Sequence, residues 1–204
     1  MKLTPDLDGI LYPDTDIAEA ATVLLRGVSG QTMINHCLRS YRYGAAIGKS
    51  LGRKPDPEAL FIAAVLHDLG LEAPYDGPGD FEKNGAVAAE RFLLSKGYAE
   101  KKASLIHDAI LLHTDLAAGA DARDEVALLH LGTLIDITGL RLDEIPEKEA
   151  SAILDEFPRL GGKALFRERI GAQISAKPDC HIAHVSRDQG MLQLLDASSF
   201  DDWA

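Results

Sequence analysis

Residues 59–70 read ALFIAAVLHDLG, and they follow Asp56 and Pro57. Asp56 is suited to cap a helix, and Pro57 to open it, because the N–H that proline lacks has no partner there anyway. Residues 59–66 are apolar without a break, so this helix has no solvated face and belongs in the centre of a bundle. Gly70 is expected to stop it. At its end stand His67 and Asp68. An ionised carboxylate in such surroundings is costly unless a cation or good hydrogen bonds compensate it. A divalent metal would serve both residues, since imidazole offers a neutral nitrogen and carboxylate an anionic oxygen. Adjacent helical residues point about 100° apart, so the two side chains meet at one ion only near the helix edge or where the helix is distorted. The structural alternative is an arginine paired with Asp68 beside a core histidine.

Outward from this helix, apolar residues recur at spacings of three and four, and no stretch alternates apolar with polar. The spacing predicts helices over 15–26 with Asp14 as cap, 32–51 ended by Gly52, and 81–97 closed by Gly97. Further helices are expected over 99–116, 124–138, 147–156 and 162–176, with a short one at 191–195 in a mixed tail from Asp179. Between the central helix and the next lies EAPYDGPGD, residues 72–80, a loop by composition. The expected fold is all-α, a bundle of antiparallel neighbours forming a single domain over 1–204. A length of 204 residues with 46% apolar residues suits one globular domain. The charge balance is 21 basic against 32 acidic residues, a net charge of −11, which argues against nucleic acid as a partner. The start, MKLTPDLDGI, has no apolar signal core, and no apolar run approaches the roughly 20 residues of a membrane helix, so no membrane association is expected. Cys37 and Cys180 make no CxxC motif, which fits a reducing cytoplasm.

Two more residues demand an explanation. The segment EVALLHLGTLIDITG, residues 125–139, carries Asp136 inside an apolar helix. Leu129, Gly132, Thr133, Asp136 and Leu140 share one face, so Asp136 is carried inward, and Gly132 lets another backbone come close. A metal shared with Asp68 would satisfy Asp136; so would a buried arginine. His36 lies in NHCLRSYRYGAAIG, residues 35–48, with Ser40 and Tyr43 on its own face and Arg39 one turn on. Taken alone, a histidine on such a helix is more often structural than a ligand.

The order His36, then His67-Asp68, then Asp136 across helical segments resembles the HD superfamily of metal-dependent hydrolases. NHCLRSYRYG, FIAAVLHDLGL, DFEKNGAVAAERFL, AILLHT and HLGTLIDITG look like consecutive blocks of its cyanamide hydratase-like branch. They form a motif core over 32–142 and leave 143–204 as a helical C-terminal extension. The resemblance implies an HD-domain-like helical bundle, one divalent ion held by His36, His67, Asp68 and Asp136, and a water activated by that ion as nucleophile. Zinc is the first choice, and iron, manganese or nickel also suit two histidines with two carboxylates. Such an ion lowers the pKa of its water from about 15.7 to roughly 7–9. Asp68 and Glu82 are the expected catalytic carboxylates. Glu82, at the entry of the helix after the loop, would handle protons, unless it is only a first-turn acid stabilised by the helix dipole. Asp68 could share that work through its second oxygen. The loop 72–80 is long enough to act as a lid.

The branch usually carries an acid-rich stretch after Phe-Glu, whereas Lys83 and Asn84 follow Glu82 here, which leaves the substrate open. Arg39, Lys83 and His113 are expected to touch substrate or to support the ligands. His113 faces inward with Ile106 and Ile110; His107, six residues away, does not share its face, so a second metal through both is not expected. His130 reads as packing, and His181 and His184 in CHIAH complete no ordinary zinc set. The expected function is hydration or hydrolysis of a small nitrogen-containing molecule of the nitrile, cyanamide or amide type. One alternative is a phosphohydrolase acting on a nucleotide or other phosphomonoester, which needs cations such as Arg39, Arg42 or Lys83 aimed at the phosphate. Another is a metal-stabilised binding module without turnover. The expected partner is a small-molecule substrate, and a homodimer through an exposed apolar helix face is left open.

Overall fold

Capping and close approach, more than propensity, decide where these helices begin, end and touch. A computed structural model describes residues 12–198. Among them are ten α-helices, three short 3-10 turns and no strand, as the all-α expectation requires. The helices are α1 (Asp16–Val28), α2 (Gln31–Ser50), α3 (Pro57–Leu66), α4 (Phe81–Ser95), α5 (Glu100–Leu112), α6 (Asp124–Thr138), α7 (Glu147–Glu156), α8 (Gly162–Ala176), α9 (His181–Gln189) and α10 (Met191–Ala197). The stretch MKLTPDLDGI, read above for a signal core, lies outside the described residues. No helix among those described is long and apolar enough to cross a membrane.

α3 is the central helix, in contact with α1, α2, α5 and α6. Asp56 caps it by accepting from the backbone N–H of Glu58 and Ala59, at 3.0 and 3.2 Å. Every residue from Ala59 to Leu66 is buried, and each large apolar side chain there contributes roughly 1.5–3 kcal/mol relative to exposure. The helix ends four residues before Gly70. His67 is its C-cap, and a 3-10 turn, Leu69–Leu71, follows. Gly70 is needed for another reason: a Cβ there would run into the carbonyl oxygen of Phe81, so its absence lets the start of α4 close on the end of α3.

α2 and α6 cross as closely. A Cβ on Gly132 would strike the carbonyl of Ser40 and approach the N of Gly44. This glycine contact brings the middle of α2, one turn beyond His36, against the C-terminal half of α6, with Asp136. Elsewhere the structure corrects the boundaries. Thr15, not Asp14, caps α1, its hydroxyl accepting from Ala18 N at 3.4 Å. α5 stops at Leu112, and Leu116 starts a separate 3-10 turn. The tail holds two helices where one was expected, because nine residues of α9 offer too few apolar positions for a period to be read.

Candidate metal centre and its cavity

The early end of α3 removes the angular obstacle to His67 and Asp68 acting together. Asp68 leaves the helix with φ −99° and ψ 13°, so the two neighbouring side chains turn to one side. His67 Nδ1 donates to the Ala64 carbonyl at 2.7 Å. His36 Nδ1 donates to Asp136 Oδ2 at 2.6 Å. With both hydrogens fixed on Nδ1, each Nε2 carries a lone pair, and the two Nε2 atoms lie 3.0 Å apart. Asp68 Oδ2 stands 3.4 Å from His36 Nε2 and 3.2 Å from His67 Nε2. Two lone pairs at that separation repel unless a cation is shared between them. Two imidazole nitrogens and one anionic oxygen, buried and with donor atoms within 4.8 Å of one another, fit a divalent ion. His113, the C-cap of α5, approaches the same carboxylate: its Nδ1 donates to the Ile110 carbonyl at 2.6 Å, and its Nε2 is 3.6 Å from Asp68 Oδ1.

Asp136 is placed differently from the four-ligand expectation. It stands behind His36 rather than among the converging donors. Arg39 Nε donates to its Oδ1 at 2.6 Å and Arg39 Nη2 to its Oδ2 at 3.0 Å. Arg159 Nη1 adds bonds to Oδ1 at 3.2 Å and to the Asp136 carbonyl at 2.8 Å. The buried carboxylate–arginine pair, kept open in the sequence, is the arrangement found. Its effect on the centre is indirect, since a carboxylate on Nδ1 fixes the tautomer that leaves Nε2 free. Burial raises the Asp136 carboxyl, but the charge of Arg39 and hydrogen bonds from His36 and Arg39 hold it far below the usual carboxylate range. Burial also works against the Asp68 carboxyl, which the imidazoles of His67, His113 and His36 around it nevertheless hold well below the usual carboxylate range. His67 is pushed down by its burial, toward the neutral form that can ligate.

These donors form the floor of a cavity of about 70 Å³. Its walls are mostly apolar, with Leu71, Phe81, Leu134 and Ile137 among them, and its cover comes from α8, α9 and α10. None of residues 72–80 lines it, so the loop is not its lid. That loop is pinned sideways instead: Lys177 Nζ donates to Asp76 at 2.6 Å and to the Gly79 carbonyl at 3.1 Å, and His181 N donates to Asp80 at 2.8 Å.

Glu82 is buried but does not line the cavity; Thr114 does, and its hydroxyl donates to Glu82 Oε1 at 2.7 Å. The other oxygen of Glu82 has no hydrogen-bond partner. Arg39 is spent on Asp136, and Arg42 donates to Glu156 at 2.7 Å and to Tyr12 at 3.2 Å. Lys83 is exposed. No lysine or arginine is among the residues lining the cavity. His107 bonds Asp108 away from it, and His184 is exposed beside Arg187. His130, read as packing, does line the cavity, and its Nδ1 donates to the His113 carbonyl at 2.9 Å. Thr114 and Thr133 were also missed, although both lie inside the motif blocks. The covering helices had no signal, because an apolar face over a cavity looks the same in sequence as one over a core.

The HD domain family profile matches residues 33–156, and the chain belongs to that family. It is a metal-dependent hydrolase or hydro-lyase of the HD superfamily, in the cyanamide hydratase-like branch. The chain is 26% identical over 161 residues to each of two proteins of Saccharomyces cerevisiae, cyanamide hydratase DDI2 and cyanamide hydratase DDI3. Each alignment covers 76% of this chain and 72% of the yeast protein.

Proposed function

We propose that this protein hydrates or hydrolyses a small uncharged nitrogen compound, of the nitrile, cyanamide or amide type, at a divalent ion held by His36, His67 and Asp68. The carrying observation is the cavity: a floor of two imidazole lone pairs and a carboxylate, apolar walls, and no cationic side chain in its lining. A phosphomonoester needs cations there, and the arginines nearest the motifs are spent elsewhere. The remaining polar wall favours a substrate bearing N–H groups. Thr114 gives its hydrogen to Glu82, Thr133 to the His130 carbonyl, and His130 Nδ1 to the His113 carbonyl, so toward a ligand these side chains have acceptors to offer. The names of the yeast relatives support the same class.

Zinc is the proposed ion, and iron, manganese or nickel also suit the donors. When bound, a divalent ion supplies Lewis acidity and brings the pKa of a coordinated water to about 7. The protein's own groups do the rest. Asp68 turns Oδ2 to His36 and His67 and Oδ1 to His113, so it can accept a proton at Oδ1 and exchange it with His113 Nε2. Glu82 acts through the Thr114 hydroxyl, which it orients. The donors themselves are buried, which strengthens every polar contact among them. Cys37 and Cys180, both free and buried, suit a cytoplasmic enzyme.

The test is metal analysis by mass spectrometry, followed by an activity screen with the ion found. One ion per chain is expected, with turnover of cyanamide or small nitriles. Phosphate release from p-nitrophenyl phosphate or nucleotides without nitrile turnover would reverse the reading. Glu82→Gln should keep the ion and lose roughly 10²-fold in rate; an unchanged rate removes Glu82 from the proton path, and unchanged ligand binding with no turnover in either protein would leave a binding module.

A further inference from the structure

The family match stops at Glu156, yet the cover of the cavity is built from residues after it. Phe166 and Ile170 of α8, Ile182 and Val185 of α9, and Met191 and Leu194 of α10 all line it. Phe166 sits edge-on to His36, with ring centroids 4.4 Å apart and planes at 61°. The cover is fastened in place. Arg167 of α8 pairs with Asp196 of α10 at 2.6 Å, Lys163 donates to the Ser198 carbonyl, and Lys177 and His181 hold Asp76 and Asp80. A ligand on the donor floor therefore meets a fixed apolar surface, in a space of about 70 Å³. What lies beyond the donors is therefore limited by the side chains of that surface, of which Phe166 stands against His36 itself.

Resting on the function proposed above, we infer that α8–α10 are the specificity element of this enzyme, with Phe166 and Leu194 setting the upper size of the substrate. The shared motif core holds the ion and the proton-handling groups, and the C-terminal helices decide what may lie beyond the reacting carbon. A substrate with a hydrogen, an amino group or a methyl group there fits under Phe166. One with a phenyl ring presses hardest on the Phe166 and Leu194 walls. A single methylene in an apolar pocket changes discrimination by about 10–200-fold, so removing most of a phenyl ring from the wall should be read easily as a change in ratio.

The experiment compares the metal-loaded parent with Phe166→Ala, Leu194→Ala and, as a control on the solvent face of α8, Glu168→Ala. Two quantities are measured: the ratio of kcat/KM for acetonitrile against benzonitrile, and binding of the same nitriles to the cobalt(II)-substituted protein by its visible absorption. The parent should favour acetonitrile at least tenfold. Phe166→Ala and Leu194→Ala should lower that ratio at least tenfold in turnover or binding, while Glu168→Ala leaves it unchanged. Leu194 is on α10 and decides the matter if Phe166→Ala fails to fold or loses its ion. Ratios within twofold of the parent in folded, metal-loaded variants overturn the inference alone. A parent that binds and turns over no nitrile or cyanamide overturns the functional reading and the inference with it.

Discussion

Asp136 carries more of the centre's geometry than any ligand does. Both of its oxygens are engaged, and the Arg39 guanidinium it pairs with is fully buried. Removing one partner of such a pair leaves an uncompensated charge in the interior, at a cost of about 3–5 kcal/mol. Asp136→Ala is therefore expected to lose about that much stability in urea denaturation. It should also weaken the ion about 10–100-fold, as losses of a histidine-orienting carboxylate do, measured by competition with a chromophoric chelator. A stability loss below about 1 kcal/mol would mean that Arg39 is satisfied by the Phe157 and Pro158 carbonyls, to which it already donates. His67 and Asp68 were legible because polar groups in an apolar helix need a compensating partner, whereas His36 stood out only through the family resemblance. The identity of Asp136's partner was not legible: a metal ion and an arginine answer the same need, and Arg159 lies outside every motif block.

Among the helices, the α2–α6 crossing decides whether the centre assembles. Gly132→Ala sets two effects against each other. Alanine gains about 1 kcal/mol of helix propensity, but its Cβ meets the Ser40 carbonyl, and backbone cannot swing aside as a side chain can. Overpacking of this kind costs about 1–3 kcal/mol or more, so a net destabilisation and a weaker ion are expected, read by melting temperature and chelator competition. Gly171→Ala in α8 is the internal comparison. Nothing lies within 4 Å of its Cβ, so propensity alone acts and the protein should gain up to about 1 kcal/mol. An equal response of the two variants would refute the close-approach account. Helix existence was well read in the sequence. The end of α3 was not, because Gly70 looked like a stop signal and is instead a point of contact with α4.

For the molecule as a whole, the acidic surface is tied down at specific places. Asp124 accepts from Arg53 at 3.0 Å and from Lys54 N at 2.8 Å, and Asp56 pairs with Lys102 at 2.7 Å. The Lys54 backbone bond holds the Asp124 carboxyl below its ordinary value, with help from Arg53. For Asp56, burial raises the carboxyl, but the Lys102 bond and the helix-cap bonds lower it further. The Arg123 bonds bring Asp121 down to about 2. A carboxyl depressed in the folded state stabilises above its unfolded value, near 3.9, and that contribution is lost as pH falls through the folded value. Melting temperature at 0.15 M salt, where the Debye length is about 8 Å, should therefore hold from pH 8 to about 5 and fall from about pH 4 toward 2. Asp124→Asn should flatten that fall. A melting temperature that rose on acidification would show instead that relief of the net charge of −11 dominates.

The linear order of residues was enough for the all-helical architecture, the buried central helix and the His67-Asp68 pair, since these rest on local periodicity and on the cost of burying charge. Three things needed the tertiary structure: where α3 stops, which partner Asp136 takes, and which helices cover the cavity. Each depends on how close two segments distant in the chain approach one another. Glycines at the crossings allow that approach, and hydrophobic spacing along one helix carries no record of its neighbour.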